Sequence, residues 1–147
     1  MIKVRKYEIA DRKHLEELVT EHFKEIKFDS QSIIKSVEDA VGFFISYPQD
    51  GYILIVNFKD KIVGYAIVLY QWRMRYSKPF CYIDEMFIRK QFRKYKPEIN
   101  IVEYITANDD IFAISVKNDR LNNASRKTMK LIKFDKDSSP LLVKEIN

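Results

Sequence analysis

The sequence predicts an α/β protein in which helices flank a mixed, mainly antiparallel central sheet. Apolar residues recur at strand spacing in some segments and at helical spacing in others. Three strand-like runs follow one another in the middle of the chain, and no linker, repeat or low-complexity tract interrupts the 147 residues. The expected order is β-α-α-β-β-β-α-β-α-β, in one domain spanning residues 1–147.

The first strand and two helices precede the central strands. Residues 2–8 alternate apolar and polar side chains, which predicts a half-exposed strand. Asp11 stands where a helix N-cap is expected, before a stripe of apolar residues at helical spacing. We expect a second helix to be capped by Asp29 or Ser30, and to end before Pro48 because proline disfavours helix at the preceding residue.

The middle of the chain predicts an antiparallel meander. Residues 52–58 and 61–70 are apolar runs separated by a short polar turn, which is typical of a hairpin. A third run, residues 80–88, follows the loop RMRYSKP. We therefore expect three neighbouring strands.

The last third of the chain returns to alternating helices and strands. Pro97 suits the first turn of a helix, and Glu98 behind it favours the positive end of the helix dipole. Residues 111–116 predict a strand, residues 121–132 a helix, and residues 141–146 a closing strand.

Composition excludes several classes of protein. A hydrophobic fraction of 46% and an aromatic fraction of 14% allow a packed core, which excludes disorder. Cys81 is the one cysteine, so no internal disulfide forms, and a lone thiol suits a reducing compartment. The apolar runs are too short to span a bilayer, and the N-terminus becomes charged too early for a signal peptide. We expect a cytoplasmic protein without membrane contact.

Glycine is scarce, which excludes enzymes whose active sites are formed by glycine-rich loops. The chain has three glycines, Gly42, Gly51 and Gly64, where average usage would give about ten. No phosphate-binding loop, dinucleotide fingerprint or Gly-x-Ser-x-Gly motif is present. His14 and His22 lie too far apart on one predicted helix to share a metal, so we expect no metal site and two surface histidines.

Residues 82–105 combine features that could carry chemistry. Asp84 and Glu85 are adjacent carboxylates on a predicted strand, where neighbouring side chains point to opposite faces. A carboxylate at a strand end could act as a base or bind a cationic substrate. The segment RKQFRKYK, residues 89–96, carries five positive charges and leads into a helix N-terminus, so residues 93–98 could bind a phosphate group.

The stretch IDEMFIRKQFRKYK followed by a helix resembles the GCN5-related N-acetyltransferases. The downstream segment ISVKNDRLNNASRKTMKLIKF is similar to a second conserved stretch of that family, and the resemblance covers nearly the whole chain. The region from Gly64 to Ile88 is most similar to diamine and polyamine acetyltransferases. The resemblance implies acetyl transfer from acetyl-CoA to a primary amine of a small cationic or peptide substrate.

The resemblance also implies site residues. Glu85, Asp84 or a bound water would deprotonate the attacking amine. Backbone groups of Phe87 and Ile88 would pair with the pantetheine arm, and the N–H groups of residues 93–98 would bind the pyrophosphate. The implied cofactor-binding residues are Phe87, Ile88, Arg93, Lys94, Tyr95, Lys96, Glu98, Asn122 and Arg126.

Three positions depart from the family pattern. Lys96 and Glu98 occupy its glycine positions, and Met129 stands where a tyrosine commonly protonates the CoA thiolate. Because Lys96 precedes Pro97, we expect it to be extended. Tyr104 is one tyrosine that could replace the missing acid.

Two other functions remain open at this point. One is a non-catalytic binding or regulatory protein of the same fold whose CoA site is impaired or lost. The other, less favoured because the net charge is only +5, is a nucleic-acid binder with a basic surface. Exposed aromatic residues would also suit a homodimer formed at a sheet edge. The residues of the basic surface are 89–96, Arg126, Lys127, Lys130 and Lys133, and the aromatic residues are Tyr70, Trp72 and Phe80.

Overall fold

A computed structural model describes residues 1–136 and 142–146 of the chain. Five strands form one sheet in the order β1-β2-β3-β4-β5, in which β1 to β4 are antiparallel and β5 is parallel to β4. The α/β class predicted from the sequence is confirmed. The strands are β1 Ile2–Lys6, β2 Gly51–Phe58, β3 Lys61–Arg73, β4 Lys78–Ile88 and β5 Ile114–Val116.

Four α-helices and four short 3₁₀ turns connect the strands. Pro97 begins a helix as predicted, and Asn122 caps the last helix by accepting a hydrogen bond from the backbone N–H of Ser125. The second helix is capped by Ser32 rather than Asp29 or Ser30, because the Ser32 side chain accepts from Lys35 N. The helices are α1 Arg12–Glu25, α2 Ile33–Ser46, α3 Pro97–Asn108 and α4 Asn123–Leu131.

The sheet separates two apolar cores. Helices α1 and α2 pack on one face, against Ile53, Ile55 and Tyr65. Helices α3 and α4 pack on the other face, against Leu54, Val56 and other residues of the central strands. Buried aliphatic side chains on both faces of β2 explain why its sequence reads as a continuous apolar run.

The predicted closing strand is not formed by the described part of its sequence. Residues 142–146 have no regular secondary structure, and Leu141 lies outside the described residues. Leu142 is 98% exposed and Ile146 is 85% exposed, so this segment makes no apolar contact with the sheet that would hold it as a strand.

Strand β4 contains the irregularity that shapes the site. Glu85 pairs with Ile67 and Ile83 pairs with Val68, so Asp84 is one extra residue in β4, a β-bulge. Strand β5 pairs only with residues 81–83 of β4. Beyond the bulge, among the described residues, β4 has no neighbour on that side, and the two parallel strands diverge.

The hairpin formed by β3 and β4 is longer than predicted and carries exposed aromatic side chains. Trp72 is 67% exposed, whereas Tyr70 is partly buried and donates a hydrogen bond to Asp109. Phe80 stacks with Phe112 at a centroid distance of 5.4 Å.

Candidate functional site

Glu85 lies in a largely buried polar cluster where β4 diverges from β5. Its side chain is 19% exposed, and its Oε1 accepts a hydrogen bond of 2.9 Å from Arg120 Nη1. Its Oε2 lies 3.8 Å from His22 Nδ1. Burial raises the pKa of Glu85, the positive charge of Arg120 opposes that rise, and the negative charge of Asp84 adds to it.

The bulge at Asp84 determines which way Glu85 points. In a regular strand Glu85 would share the face of Ile83, which belongs to the core against α3 and α4. With Asp84 inserted, Glu85 instead pairs with Ile67 and lies on the side of α1 and α2. Of the two predicted carboxylates, Glu85 therefore enters the buried cluster.

His22 is buried, which contradicts the predicted surface position. Its exposure is 3%, because it follows Leu15, Leu18 and Val19 at helical spacing and so shares their inward face of α1. His22 Nδ1 and the Tyr65 hydroxyl share a hydrogen bond of 2.6 Å, and the imidazole stacks on Phe87 at 5.2 Å.

His22 and Tyr65 are both neutral near pH 7. Burial is the main cause that lowers the pKa of His22 to about 4; nearby Glu25 opposes this, and Arg93 and Arg120 add to it. Burial likewise raises the pKa of Tyr65 well above its ordinary value. An uncharged pair therefore lies beside the Glu85 carboxylate.

Sequence reasoning did not find three members of this cluster. The helical spacing of His22 was a usable signal, since it extends the apolar stripe of α1. Tyr65 reads as one of several apolar strand residues. Arg120 lies in the short 3₁₀ turn Asn118–Arg120, and its 35-residue separation from Glu85 leaves no local sequence pattern.

An apolar cavity is lined in part by the Glu85 side chain. It lies between α1, α2 and the sheet, and has a free volume of about 60 Å³. Its wall is almost entirely apolar, so Glu85, Tyr65 and Ser36 line it mainly with carbon atoms. The remaining lining residues are Leu15, Val19, Phe23, Val37, Ala40, Ile53 and Ile67.

The basic segment after β4 carries less free positive charge than its sequence suggests. Residues Lys90–Tyr95 form a 3₁₀ helix. Arg89 makes an ion pair of 2.7 Å with Glu21. Arg93 binds both carboxylate oxygens of Glu25 at 2.8 Å and donates from Nε to the carbonyl oxygen of Ile88 at 2.7 Å. Two of its five cations are thus paired with carboxylates of α1.

Lys96 has a left-handed backbone conformation, with φ 53° and ψ 55°, so the expectation that it is extended was wrong. Its N–H donates to the carbonyl oxygen of Arg93 at 3.1 Å, which ends the 3₁₀ helix before α3 begins. A following proline chiefly disfavours the right-handed helical region, so a left-handed turn satisfies that restriction. Lys96 therefore supplies the backbone conformation that glycine adopts more readily.

Glu98 is fully buried at the start of α3, and its side chain turns toward α4. Its Oε2 accepts a hydrogen bond of 2.7 Å from Ser125 Oγ. Its Oε1 is buried without a hydrogen-bond partner among residues 1–136 and 142–146. Because the Glu98 side chain is 0% exposed, it does not cover the outer surface of the loop before α3.

The other residues implied by the resemblance lie on several elements, and Tyr95 lies beside β2 rather than beside β4 or β5. Phe87 and Ile88 are buried in the two separate cores. Tyr95 stacks on Phe58 at 4.6 Å, and Lys94 lies over the Tyr95 ring at 5.3 Å. Arg126 donates to the carbonyl oxygen of Asn118 and to the Asn123 side chain.

Met129 occupies the position at which the resemblance places a tyrosine. Met129 is buried in the core beneath α3 and α4. Tyr104 packs against Tyr52 at a centroid distance of 6.2 Å. Tyr52 donates to Asp109, the same carboxylate that lies 3.6 Å from Cys81 near the start of β4. Tyr104 therefore packs on the opposite face of the sheet from Glu85.

Within the described ranges, no group of three or more His, Cys, Asp or Glu side chains is arranged to hold a metal ion. In the same residues, no helix has both the length and the apolar character needed to cross a membrane.

The bulged fourth strand, the short parallel fifth strand and the loop leading into α3 belong to a fold that the chain shares with solved structures described as acetyltransferases. A possible acetyltransferase from Clostridium difficile 630 superimposes with a TM-score of 0.77 at 16% identity, covering 100% of this chain and 99% of that chain. Glucosamine-6-phosphate N-acetyltransferase from Arabidopsis thaliana gives 0.72 at 17% identity, with 100% and 99% coverage.

A third similar structure was solved with a bound ligand. It is a predicted acetyltransferase from Clostridium acetobutylicum solved with acetyl-CoA, with a TM-score of 0.72, 13% identity and coverage of 98% and 96%. The sequence itself matches no protein-family model and no curated protein. At these identities the similarity establishes the fold, which the chain shares over its whole length with known and proposed acetyltransferases.

Proposed function

We propose that the protein transfers an acetyl group from acetyl-CoA to a primary amine of a small molecule or peptide. The observation that carries this proposal is Glu85, a largely buried carboxylate with a raised pKa at the divergence of β4 and β5. Similar structures of nearly the same length, acetyltransferases by description, support it. The similarity of the β3–β4 region to diamine and polyamine acetyltransferases makes putrescine and spermidine the first acceptors to assay.

The loop before α3 would bind the pyrophosphate of acetyl-CoA mainly through side chains. Residues 90–95 form a 3₁₀ helix, the Lys96 N–H donates to Arg93, and Pro97 has no N–H. The Glu98 N–H in the first turn of α3 and the exposed side chains of Lys94 and Lys96 would therefore bind the phosphates. Backbone groups of Phe87 and Ile88 would bind the pantetheine arm. Asn122 and Arg126 would lie on its other side, at the start of α4.

Glu85 acts as the general base in this mechanism, with Asp84 or a bound water as the alternative. When bound, acetyl-CoA supplies the acetyl group as an activated thioester. Glu85 accepts a proton from the acceptor's ammonium group, and the freed amine forms the new C–N bond as the C–S bond breaks. The raised pKa of Glu85 strengthens it as a base. Met129 has no proton to donate, so the CoA thiolate takes one from solvent.

The test is thiol release from acetyl-CoA in the presence of putrescine, spermidine or a lysine-containing peptide. Glu85→Gln should lower kcat by about 10²- to 10⁴-fold while leaving acetyl-CoA affinity nearly unchanged. The rate of the unmodified protein should rise with pH through the raised pKa of Glu85, because only the ionised carboxylate accepts a proton. This rise should be absent in Glu85→Gln.

Two further variants complete the comparison. Glu103→Gln removes an exposed carboxylate on α3 and should leave the rate unchanged. Asp84→Asn distinguishes the two adjacent carboxylates, and a smaller loss than that of Glu85→Gln is expected. Equal turnover in Glu85→Gln and the unmodified protein would remove Glu85 from the mechanism.

A non-catalytic protein of the same fold is the second candidate. The Ile88 carbonyl, one of the groups that would bind the pantetheine arm, already accepts from Arg93, whose guanidinium is also held by Glu25. This candidate predicts neither calorimetric heat nor a thermal shift with acetyl-CoA at high micromolar concentration, whereas the acetyltransferase predicts both.

A further inference from the structure

The apolar cavity that ends at Glu85 has the size of a small aliphatic side chain. Its free volume of about 60 Å³ corresponds to roughly four or five water-sized positions. Its wall is almost entirely apolar, and Glu85 lines one part of it. A group of about four carbon atoms would fill this space and gain the free energy of apolar burial.

Arg120 places a positive charge directly beside the carboxylate at the end of that cavity. Its Nη1 donates to Glu85 Oε1 at 2.9 Å, and its side chain is 46% exposed. Among the described residues this is the one hydrogen bond that the guanidinium makes. Its other N–H groups can therefore bind an anionic group of a ligand.

A ligand with positive charge alone fits this arrangement poorly. Its ammonium group would compete with Arg120 for the Glu85 carboxylate, and displacement would leave the guanidinium without its partner. A ligand with adjacent ammonium and carboxylate groups satisfies both residues, because its ammonium pairs with Glu85 while its carboxylate pairs with Arg120.

We infer that the acceptor is an α-amino acid with a short branched aliphatic side chain. The ammonium group binds Glu85, the carboxylate binds Arg120, and the side chain enters the cavity lined by Val19, Val37 and Ala40. Both charged groups of an α-amino acid are attached to one carbon atom, which matches the direct contact between Glu85 and Arg120. This inference rests on the proposed acetyltransferase function and narrows its acceptor.

The experiment compares three acceptors with the same side chain. L-leucine carries the carboxylate, L-leucinamide carries a neutral amide in its place, and 3-methylbutylamine has neither. Transfer is measured as thiol release from acetyl-CoA, and binding of each compound to the protein is measured by calorimetry. We expect kcat/KM for L-leucine to exceed that of the other two by about tenfold or more, in line with a charged hydrogen bond.

Arg120→Gln tests the recognition of the carboxylate. It should lower kcat/KM for L-leucine by about 10- to 100-fold, mainly by raising KM. The value for 3-methylbutylamine should not fall, because its ammonium group no longer competes with Arg120 for Glu85. Arg75→Gln, an exposed arginine of the β3–β4 hairpin, is the matched control and should change neither. Circular dichroism checks that both variants are folded.

Ala40→Met tests the cavity, because the longer side chain fills it. Acetylation of L-leucine should fall, while acetylation of glycine, which has no side chain to place there, should not. An equal fall for both amino acids would overturn the assignment of the cavity to the side chain.

The possible results distinguish a failure of the amino-acid inference from a failure of the proposed acetyl transfer. Transfer to amines without preference for L-leucine, or an equal loss for all acceptors in Arg120→Gln, overturns the amino-acid inference and leaves the proposed function intact. Arg120-dependent binding of L-leucine without transfer supports the ligand class and contradicts the proposed function. Absence of both binding and transfer of L-leucine overturns the inference.

Discussion

The stability of the protein should fall steeply between pH 6.5 and about 4 because His22 is buried in its neutral form. In the unfolded chain an exposed histidine has its ordinary pKa of 6.5, whereas in the folded protein burial lowers the pKa of His22 to about 4. Above pH 6.5 both states are neutral at this position. As the pH falls toward 4, only the unfolded chain gains the proton, so folding is disfavoured.

The size of this loss of stability follows from the interval between the two pKa values of His22, 6.5 in the unfolded chain and about 4 in the folded protein. Each pH unit between the two pKa values costs ~1.4 kcal/mol, so the loss by pH 4 amounts to about 3 kcal/mol. Typical domains are stable by about 5–15 kcal/mol, so this loss is roughly a fifth to three fifths of the whole stability. The 3% exposure of His22 leaves little solvent screening to reduce it.

Two carboxyl groups also change the stability of the protein as the pH falls. Glu85, whose pKa burial raises, gains its proton first in the folded state and so adds stability as the pH falls. Arg5 lowers the pKa of Asp11. Protonation of Asp11 therefore reduces the stability of the folded protein only at pH values below the ordinary pKa of an aspartate. The pH dependence of the whole protein is therefore composite, and a variant is needed to isolate His22.

The measurement is urea unfolding at several pH values between 7 and 4. His22→Asn removes the titrating ring while an amide near the former Nδ1 can still bond the Tyr65 hydroxyl. The stability difference between the unmodified protein and this variant should shrink by about 3 kcal/mol from pH 7 to pH 4. His14→Asn, at an exposed position of the same helix, should follow the unmodified protein. A constant difference for His22→Asn across this range would refute the reasoning.

Three further predictions concern the backbone and the exposed hairpin. Lys96→Gly should raise the free energy of unfolding by about 1 kcal/mol in urea, because glycine adopts the left-handed conformation without strain. Gly64→Ala should lower it by about 1–3 kcal/mol, since a Cβ would lie 2.5 Å from the Phe87 carbonyl oxygen, whereas Gly42→Ala, with nothing within 4 Å, should not destabilise. If the predicted homodimer forms through the hairpin, Trp72→Ser should convert it to monomer in sedimentation, and an unchanged mass would remove Trp72 from the interface.

Local patterns were sufficient to predict most elements of the fold. The apolar spacing of α1 and the apolar runs of β2 to β4 reflect burial on defined faces, and such burial is visible as periodicity in the sequence. The start of α3 is marked by its proline, whose fixed backbone angle suits the first turn of a helix. Residues 141–146 have the pattern of a strand, but a strand also needs a partner edge, and residues 142–146 make no such pairing in the structure.

The candidate site was predicted less completely, because it depends on where distant segments meet. The adjacent carboxylates drew attention to Asp84 and Glu85, but the bulge that turns Glu85 toward α1 depends on pairing with β3. Arg120 reaches Glu85 from a turn far along the chain. His22 was placed wrongly, although its helical spacing was visible, because a histidine was assumed to prefer solvent.

The bulge in β4 also determines how the protein would respond to the deletion of one residue from that strand. Removal of Asp84 would leave a regular strand in which every side chain from Glu85 to Ile88 keeps its present face, so neither apolar core would be rearranged. The bend that a bulge introduces would be lost, and with it the local twist beyond Ile83. A one-residue deletion at this position would therefore preserve the fold while straightening β4 beside the site. The path of β4 at the site thus depends on a single inserted residue.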